Sequence, residues 1–183
     1  MISKEEALVL IRNHVKKENN VKHMIAVGAI MREIASKLGE DSEKWEMVGI
    51  LHDIDFELCN GLSDHTKIAK DLLMGRVEDE IIEAIMAHNY ENTGVAPDTK
   101  MKKALIASDA VSGLIIASAL VMPSKKLSEV TIESLKKKFK SKDFAKGANR
   151  ERISVCSDLG VSNDEFLAWA LQGMLKSSEE LGL

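Results

Sequence analysis

Six histidine and aspartate side chains lie in or beside segments whose spacing predicts buried helix. They are His23, His52, Asp53, His65, His88 and Asp109. An imidazole or a carboxylate buried in apolar surroundings costs several kcal/mol unless another group compensates it. A bound metal ion is the simplest compensation, so these residue types in this setting predict a metal centre.

The period of the apolar residues places these side chains on the inner faces of helices. His23 shares a stripe with Val27, Ile30 and Ile34, so we expect its ring to face the interior. Asp109 interrupts the apolar segment 104–119, which is otherwise typical of a fully buried helix. A carboxylate at that position needs a partner.

His52 and Asp53 are neighbours at the end of the apolar run 47–51. On a regular helix, adjacent side chains point about 100° apart. Both can therefore face one ion only if the helix ends or bends at the doublet. Residues 54–61 have the composition of a loop, so the sequence predicts a helix that ends at His52.

Imidazole and carboxylate ligands without thiolate suit divalent Mn, Fe, Co, Ni, Zn or Mg. We predict a first ion with four ligands: His23, His52, Asp53 and Asp109. His65 and His88 are predicted to bind a second ion or the phosphate of a substrate, the alternative being hydrogen-bonded core histidines. A divalent ion lowers the pKa of bound water and polarises a phosphoryl oxygen, so the predicted chemistry is hydrolysis of a phosphoester.

Three carboxylates are candidate catalytic residues. Asp53 is predicted to act beside the ion, and Asp55 and Glu57, just past the doublet, are predicted to orient the attacking water. The alternative for Asp55 and Glu57 is that they are loop carboxylates without a catalytic role.

The spacing of His23, the doublet His52-Asp53 and Asp109 resembles the H…HD…D pattern of the HD superfamily. The doublet stands in the sequence Gly-Ile-Leu-His-Asp-Ile-Asp, and the resemblance extends over roughly residues 21–119. It implies an all-helical, metal-dependent phosphohydrolase in which the two histidines and both aspartates bind the metal. The histidines between the doublet and the distal aspartate resemble those of members with two metals. The chain is also similar to small HDIG-type predicted hydrolases, with aspartate where that motif has glycine.

Length and composition indicate a single all-α domain. The chain has 183 residues, 45% of them hydrophobic and 30% charged, with only two prolines. The resemblance implies an orthogonal helical bundle of the HD-domain type with extra C-terminal helices. Residues 1–122 are predicted to form the metal-binding core, and residues 123–183 a basic helical extension packed on it. Cap signals and periodicity place the helices at about 3–17, 20–39, 42–52, 63–75, 77–88, 99–120, 127–139, 148–159 and 162–181.

Positive charge is concentrated in the C-terminal part. Residues 125–152 contain ten lysines and arginines against four acids, a balance of +6, whereas the whole chain carries −4. Within this block Lys125, Lys126, Arg150 and Arg152 are candidate ligands of a substrate phosphate, although a charge run is usually a solvated face. Aromatic residues do not interleave with these charges, so the predicted substrate is a small phosphorylated molecule, with no clear sign of a nucleic-acid partner.

The remaining features predict a cytoplasmic protein without membrane contact. No stretch reaches roughly 20 consecutive apolar residues. The start, with Ser3 and Glu6, is a capping box rather than a signal peptide. The two cysteines are isolated, which agrees with a reducing compartment. A homo-oligomer is compatible with the sequence.

Three functions fit these residues. The first is a metal-dependent phosphohydrolase that acts on a mono- or diester of a nucleotide or of another small metabolite. The second is a di-iron oxygenase on the same scaffold, for which iron content and oxygen consumption would be diagnostic. The third is a non-catalytic metal- or nucleotide-binding module, for which tight ligand binding without turnover would be diagnostic.

Overall fold

The computed structural model describes residues 2–183, which form α-helices and two short 3-10 segments and contain no strand. The α-helices are α1 Lys4–His14, α2 Glu18–Leu38, α3 Ser42–Leu51, α4 Lys67–Leu73, α5 Asp79–Ala87, α6 Tyr90–Thr93, α7 Lys100–Leu120, α8 Ile132–Lys140, α9 Arg150–Ser154, α10 Asn163–Lys176 and α11 Ser178–Leu181. The 3-10 segments are Leu127–Glu129 and Val155–Leu159. The predicted all-α class is confirmed.

Local cap chemistry fixes several helix ends where the sequence predicts them. Ser3 and Ser162 each open a helix with a reciprocal capping box. Gly39 ends α2 with φ of 72°, in the left-handed region that glycine adopts without strain. Helix α3 ends at Leu51, so the predicted end at the His52-Asp53 doublet is confirmed.

Other predicted boundaries are wrong. Helix α1 stops at His14 rather than near residue 17, α2 begins at Glu18, and α4 begins only at Lys67 rather than near residue 63. The predicted loop 89–98 contains the short helix α6. The predicted helices 127–139 and 148–159 are each divided into a 3-10 and an α segment. Two of these departures coincide with long-range contacts described below: Glu57 binds the backbone between α1 and α2, and Asp55 binds the backbone before α4.

Helices α2 and α3 cross at a contact between two glycines. A Cβ atom on Gly49 would lie 2.6 Å from the Cα of Gly28, and one on Gly28 would lie 2.7 Å from the Cγ1 of Ile50. Only glycine allows backbones to approach this closely. Since α2 carries His23 and α3 leads into His52, this crossing sets the distance between the two histidines.

Helix α7 is the central element and contacts α2, α3, α5, α8, α9 and α10. Its length and mean hydropathy, 1.5 over 18 residues, would suffice to cross a membrane, although 61% of that window is buried within the fold. Length and composition alone single out α7, and a buried core helix meets the same criteria, so the expected absence of membrane contact stays a prediction. A helix surrounded by other helices is apolar on all sides because no face of it contacts water, and a membrane-spanning helix is apolar for the same reason. The cytoplasmic location stays a prediction.

Residues 123–183 contact the preceding helices at several places. Helix α10 packs on α2, with Gly173 so close that a Cβ atom there would lie 2.6 Å from the carbonyl oxygen of Ala29. Helix α9 and the 3-10 segment that follows it pack against α7. The boundary near residue 122 stays a prediction.

Candidate metal centre

Five separate stretches of chain bring the six predicted histidines and aspartates together. His23 lies on α2, His52 and Asp53 directly follow α3, His65 precedes α4, His88 follows α5, and Asp109 lies in the middle of α7. Their side chains meet around the carboxylate of Asp53, whose two oxygens face two different groups.

The first group surrounds Oδ2 of Asp53. This oxygen lies 3.5 Å from Nε2 of His52 and 3.7 Å from Nε2 of His23. Oδ1 of Asp109 completes the group, 3.2 Å from Nε2 of His23 and 3.8 Å from Nε2 of His52.

The second group surrounds Oδ1 of Asp53. This oxygen lies 3.2 Å from Nε2 of His65 and 3.5 Å from Nε2 of His88. The two Nε2 atoms are themselves 3.0 Å apart. Asp53 therefore joins the two groups, with one carboxylate oxygen in each.

Backbone and side-chain acceptors fix the tautomers of these rings. Nδ1 of His52 lies 2.8 Å from the carbonyl oxygen of Gly49, and Nδ1 of His88 lies 2.6 Å from that of Ile85. A carbonyl oxygen can only accept, so each Nδ1 carries the proton and each Nε2 presents its lone pair to the centre. This second contact is characteristic of metal-binding histidines.

Ser112 fixes His23 in the same way. Its hydroxyl donates to the carbonyl oxygen of Asp109 at 2.8 Å, and it lies 3.1 Å from Nδ1 of His23, so it accepts the Nδ1 proton. Sequence reasoning missed Ser112. The available signal was its position three residues after Asp109, on the same face of α7.

Asp55 orients His65 by contacting the ring nitrogen that faces away from Asp53. The carboxylate is fully buried, with Oδ1 2.8 Å from Nδ1 of His65, while Oδ2 accepts from the backbone N–H groups of Thr66 and Ala69 at 2.7 and 2.8 Å. These bonds also hold Thr66 at φ of 69° and delay the start of α4. Both oxygens are occupied, so the geometry favours a positioning role for Asp55 over the predicted orientation of water.

Three observations show that the cluster fits a divalent cation. Nε2 of His52 is buried and has no hydrogen-bond partner among the described residues. The Nε2 atoms of His65 and His88 face each other at hydrogen-bond distance. Ligands about 2.1 Å from one ion lie roughly 3.0–3.4 Å from each other, close to the spacing in both groups. His23, His52, Asp53 and Asp109 would hold one ion, and Asp53, His65 and His88 another.

Burial and the contacts among these side chains shift the pKa values of His52, His65 and Asp53. Burial lowers the pKa of His52 to about 4, which keeps its ring neutral at physiological pH. Burial also opposes charge on His65, but hydrogen bonds with Asp53 and Asp55 outweigh it and raise the pKa of His65 to about 9. Burial disfavours the charged form of Asp53 as well, yet the surrounding histidines hold its pKa well below its ordinary value. The carboxylate therefore remains ionised.

Glu57 lies outside the cluster. Its carboxylate accepts from the backbone N–H groups of Lys16 and Lys17 at 3.0 and 2.9 Å and from Nδ2 of Asn20 at 2.9 Å. These bonds tie the turn after α3 to the connection between α1 and α2. The structure does not bring Glu57 to the position that orienting a water would require.

Only one of the four basic residues predicted to bind phosphate lines the cleft over the centre. Arg152 reaches it and donates to the carbonyl oxygen of His88 while pairing with Glu91 at 3.4 Å. Lys125 is exposed, and Lys126 donates to the carbonyl oxygen of Gly182. Arg150 donates to the backbone carbonyl oxygens of Phe144, Ala145 and Ala148, shortly before it in the chain. Those three predictions are not supported by the geometry.

The cleft over the centre has a volume of about 610 Å³. Its floor contains His23, Asp53, His65, His88 and Asp109. Two exposed apolar side chains, Phe56 and Leu62, form its rim, and Asn20, Asn89, Asn92 and Glu91 also line it. Sequence reasoning missed these rim residues, because each belongs to a loop or a helix end that acquires its neighbours only in the fold.

A comparison with family models decides which family this arrangement represents. The HD domain model matches residues 20–114, slightly more than half of the chain. The chain belongs to the HD domain family. The resemblance inferred from the spacing of its histidines and aspartates is thereby confirmed.

Curated relatives of this HD domain carry the name Ribonuclease Y. That of Thermosipho melanesiensis is 37% identical over 97 residues, which cover 52% of this chain and 18% of the relative. That of Lawsonia intracellularis is 29% identical over 168 residues, covering 88% of this chain and 32% of the relative. The chain thus spans a third or less of the length of these relatives. No solved structure matches it.

Proposed function

We propose that this HD domain is a phosphohydrolase that binds two divalent metal ions on either side of the Asp53 carboxylate. The observation that carries the proposal is the convergence of four imidazole Nε2 atoms on the two oxygens of that carboxylate. Membership of the HD domain family, a resemblance that implies a metal-dependent phosphohydrolase, supports it. When bound, such ions lower the pKa of water and polarise a phosphoryl oxygen.

The protein's own residues prepare the centre for this chemistry. Fixed Nδ1 contacts hold the four rings so that no reorganisation is needed at the moment of reaction. Arg152 presents a guanidinium at the edge of the cleft, held in place by its bonds to His88 and Glu91. Such a group suits the oxygens of a phosphate ester because its N–H groups form a planar fork. We therefore propose that Arg152 binds the substrate phosphate.

The rim of the cleft favours a nucleotide or RNA ester as the substrate. Phe56 is 49% exposed and Leu62 is 63% exposed, and both line the cleft. An exposed aromatic ring beside a phosphate-binding centre is suited to stack a nucleobase. The name of the Ribonuclease Y relatives supports an ester within RNA. We therefore revise the expectation from sequence, which gave no clear sign of a nucleic acid.

The stacking role of Phe56 predicts a selective loss of affinity. We expect Phe56→Ala to raise KM for a nucleotide ester by about 5- to 150-fold, since stacking contributes roughly 1–3 kcal/mol per base, and to change kcat little. Leu58→Ala is the matched control, because Leu58 is 44% exposed on the same turn but does not line the cleft. Steady-state kinetics on a short oligoribonucleotide give KM and kcat for each of the two variants. Equal effects of the two variants would contradict the role of Phe56.

Metal removal is expected to lower the thermal stability of the protein. An ion present at about 1,000 times its dissociation constant stabilises the folded state by roughly 4 kcal/mol. For a domain of this size each kcal/mol shifts Tm by about 2–4 °C, so chelation should lower Tm by about 8–16 °C for one ion. Calorimetry with EDTA, and again after reloading with Mn²⁺, measures the shift. An unchanged Tm in both conditions would argue against an ion at the centre.

The proposed function is tested by combining metal analysis with a substrate panel. The purified protein is analysed for its metals, reloaded with each candidate ion, and assayed on oligoribonucleotides, nucleoside phosphates and aryl phosphates. We expect ester cleavage that depends on the ion. Oxygen consumption by the iron-loaded protein would instead favour the di-iron oxygenase, and tight nucleotide binding without turnover would favour the binding module.

A further inference from the structure

One amide side chain connects the two histidines of the second group. Asn89 directly follows His88 in the chain and is only 6% exposed. Its Nδ2 atom donates to the carbonyl oxygen of His65 at 2.9 Å and to that of Leu62 at 2.8 Å. The amide therefore reaches from the end of α5 to the backbone of the segment that carries the other histidine.

The orientation of this amide is fixed because each of its polar atoms has a partner. The Oδ1 atom of Asn89 accepts from Nδ2 of Asn92 at 2.8 Å. The two hydrogens of its NH₂ group are left for the two carbonyl oxygens. An aspartate of the same shape could not donate to either carbonyl oxygen, and its negative charge would face both. The position thus requires a hydrogen-bond donor.

The segment that carries His65 depends on contacts from outside it. Residues 52–66, between α3 and α4, contain no helix, and Thr66 has φ of 69°. A β-branched residue occupies that region only when surrounding contacts enforce it. Asp55 supplies contacts from within the segment. Among the described residues, the hydrogen bonds that join the segment to the end of α5 are the two from Asn89 and the one between two histidine rings.

The bonds of Asn89 act on the distance between the two rings. Consecutive Cα atoms are about 3.8 Å apart, so the bond from Asn89 to the carbonyl oxygen of His65 ties the backbone of His65 to that of His88. The Nε2 atoms of these rings lie 3.0 Å apart, and they lie 3.2 and 3.5 Å from Oδ1 of Asp53. Among the described residues, Asn89 makes no hydrogen bond to a member of the first group.

We infer that Asn89 is a positioning residue whose amide sets the separation of His65 and His88 and so makes the second group fit for a metal ion. The inference rests on the proposed function, which it deepens by assigning different supporting contacts to the two groups. Ser112 orients His23 in the first group, whereas Asn89 supports the second. Loss of the Asn89 amide is therefore expected to weaken one ion and spare the other.

The test measures each group separately. Asn89→Asp keeps the shape of the side chain but removes both donated bonds, and Asn89→Ala removes the whole amide, so the test does not depend on the folding of one variant. Each is combined with His88→Ala, which leaves the first group intact, and with His23→Ala, which leaves the second. Titration calorimetry with Mn²⁺ gives the affinity of the remaining group, and Tm values in EDTA establish that each variant is folded.

We expect both Asn89 variants to weaken Mn²⁺ binding by about 10- to 100-fold in the His23→Ala background, the usual effect of removing a group that orients a metal ligand. In the His88→Ala background they should leave the affinity unchanged. Ser112→Ala is the matched control and should show the reverse pattern, because its hydroxyl contacts His23.

The same comparison can be made without the histidine variants. The otherwise wild-type protein is titrated with two Mn²⁺ ions, and we expect Asn89→Asp to weaken one of the two affinities and leave the other unchanged. At an Mn²⁺ concentration that fills both groups of the parent, electron paramagnetic resonance should show a coupled pair of ions in the parent. The Asn89→Asp variant should show isolated Mn²⁺.

The outcomes separate the inference from the function on which it rests. If the wild-type protein binds no candidate ion, the proposed function fails and the inference fails with it. If the parent binds two ions and hydrolyses esters, but the Asn89 variants bind both ions as the parent does, the function stands and the inference is overturned. Equal weakening of both ions would also overturn it, since that result would indicate a general effect on the fold.

Discussion

Replacing Asp53 by asparagine is expected to lower kcat by at least about 10³-fold, equivalent to roughly 4 kcal/mol in the barrier. It should also reduce the metal content from the proposed two ions per chain to at most one. The physical reason is that each carboxylate oxygen serves a different group of ligands, Oδ2 with His23 and His52 and Oδ1 with His65 and His88. Asparagine keeps the shape but loses the negative charge and one oxygen.

The measurement combines elemental analysis with single-turnover kinetics on the same preparation. Asp71→Asn is the control, because Asp71 is an exposed aspartate on α4 and its replacement removes the same charge away from the centre. We expect this variant to keep the metal content and kcat of the parent. An Asp53→Asn variant that still binds two ions with unchanged turnover would refute the bridging role of the carboxylate.

Replacing Gly49 by alanine is expected to destabilise the protein by about 3 kcal/mol or more. The new methyl group would lie 2.6 Å from both the Cα and the N of Gly28 and 2.8 Å from the carbonyl carbon of Val27. These are backbone atoms, so the contact can be relieved only by separating α2 from α3. For a domain of this size, the loss corresponds to a fall in Tm of about 6–12 °C or more.

The same separation should weaken metal binding. Helix α2 carries His23, and the carbonyl oxygen of Gly49 accepts the Nδ1 proton of His52. Gly113→Ala is the matched control, since Gly113 is also helical but a Cβ atom there meets nothing within 4 Å. Alanine should stabilise that site by up to about 1 kcal/mol. Urea denaturation gives the free energy of unfolding of both variants. If the Gly49→Ala protein is as stable as the parent, helices α2 and α3 can move apart at little energetic cost, and the prediction is wrong.

The two variants affect the site in different ways, Asp53→Asn through a side chain of the site and Gly49→Ala through the packing of two helices. Asp53→Asn removes a proposed metal ligand from a fold that remains intact, whereas Gly49→Ala disturbs the crossing of α2, which carries His23, with α3, which leads into His52. We therefore expect Asp53→Asn to keep a cooperative unfolding transition in EDTA with a Tm close to that of the metal-free parent. Gly49→Ala should have a lower Tm than the parent both with and without metal.

The sequence by itself determined the features that depend on local pattern. The period of apolar residues around His23 and Asp109 predicts buried helices, because side chains three or four residues apart share a face whatever the rest of the chain does. The capping boxes at Ser3 and Ser162 depend on residues three positions apart, so they too could be predicted. The spacing of the histidines and aspartates was sufficient to indicate the HD family.

Only the tertiary structure decided which polar residues act together. Arg150 and Arg152 are two positions apart. Arg150 binds backbone carbonyl oxygens of the loop before α9, whereas Arg152 lines the cleft over the candidate metal centre. Glu57 binds backbone groups about 40 residues away, and Ser112 meets His23 across 89 residues. Such partners are set by how helices pack, and the sequence around each residue does not specify which distant group it will meet.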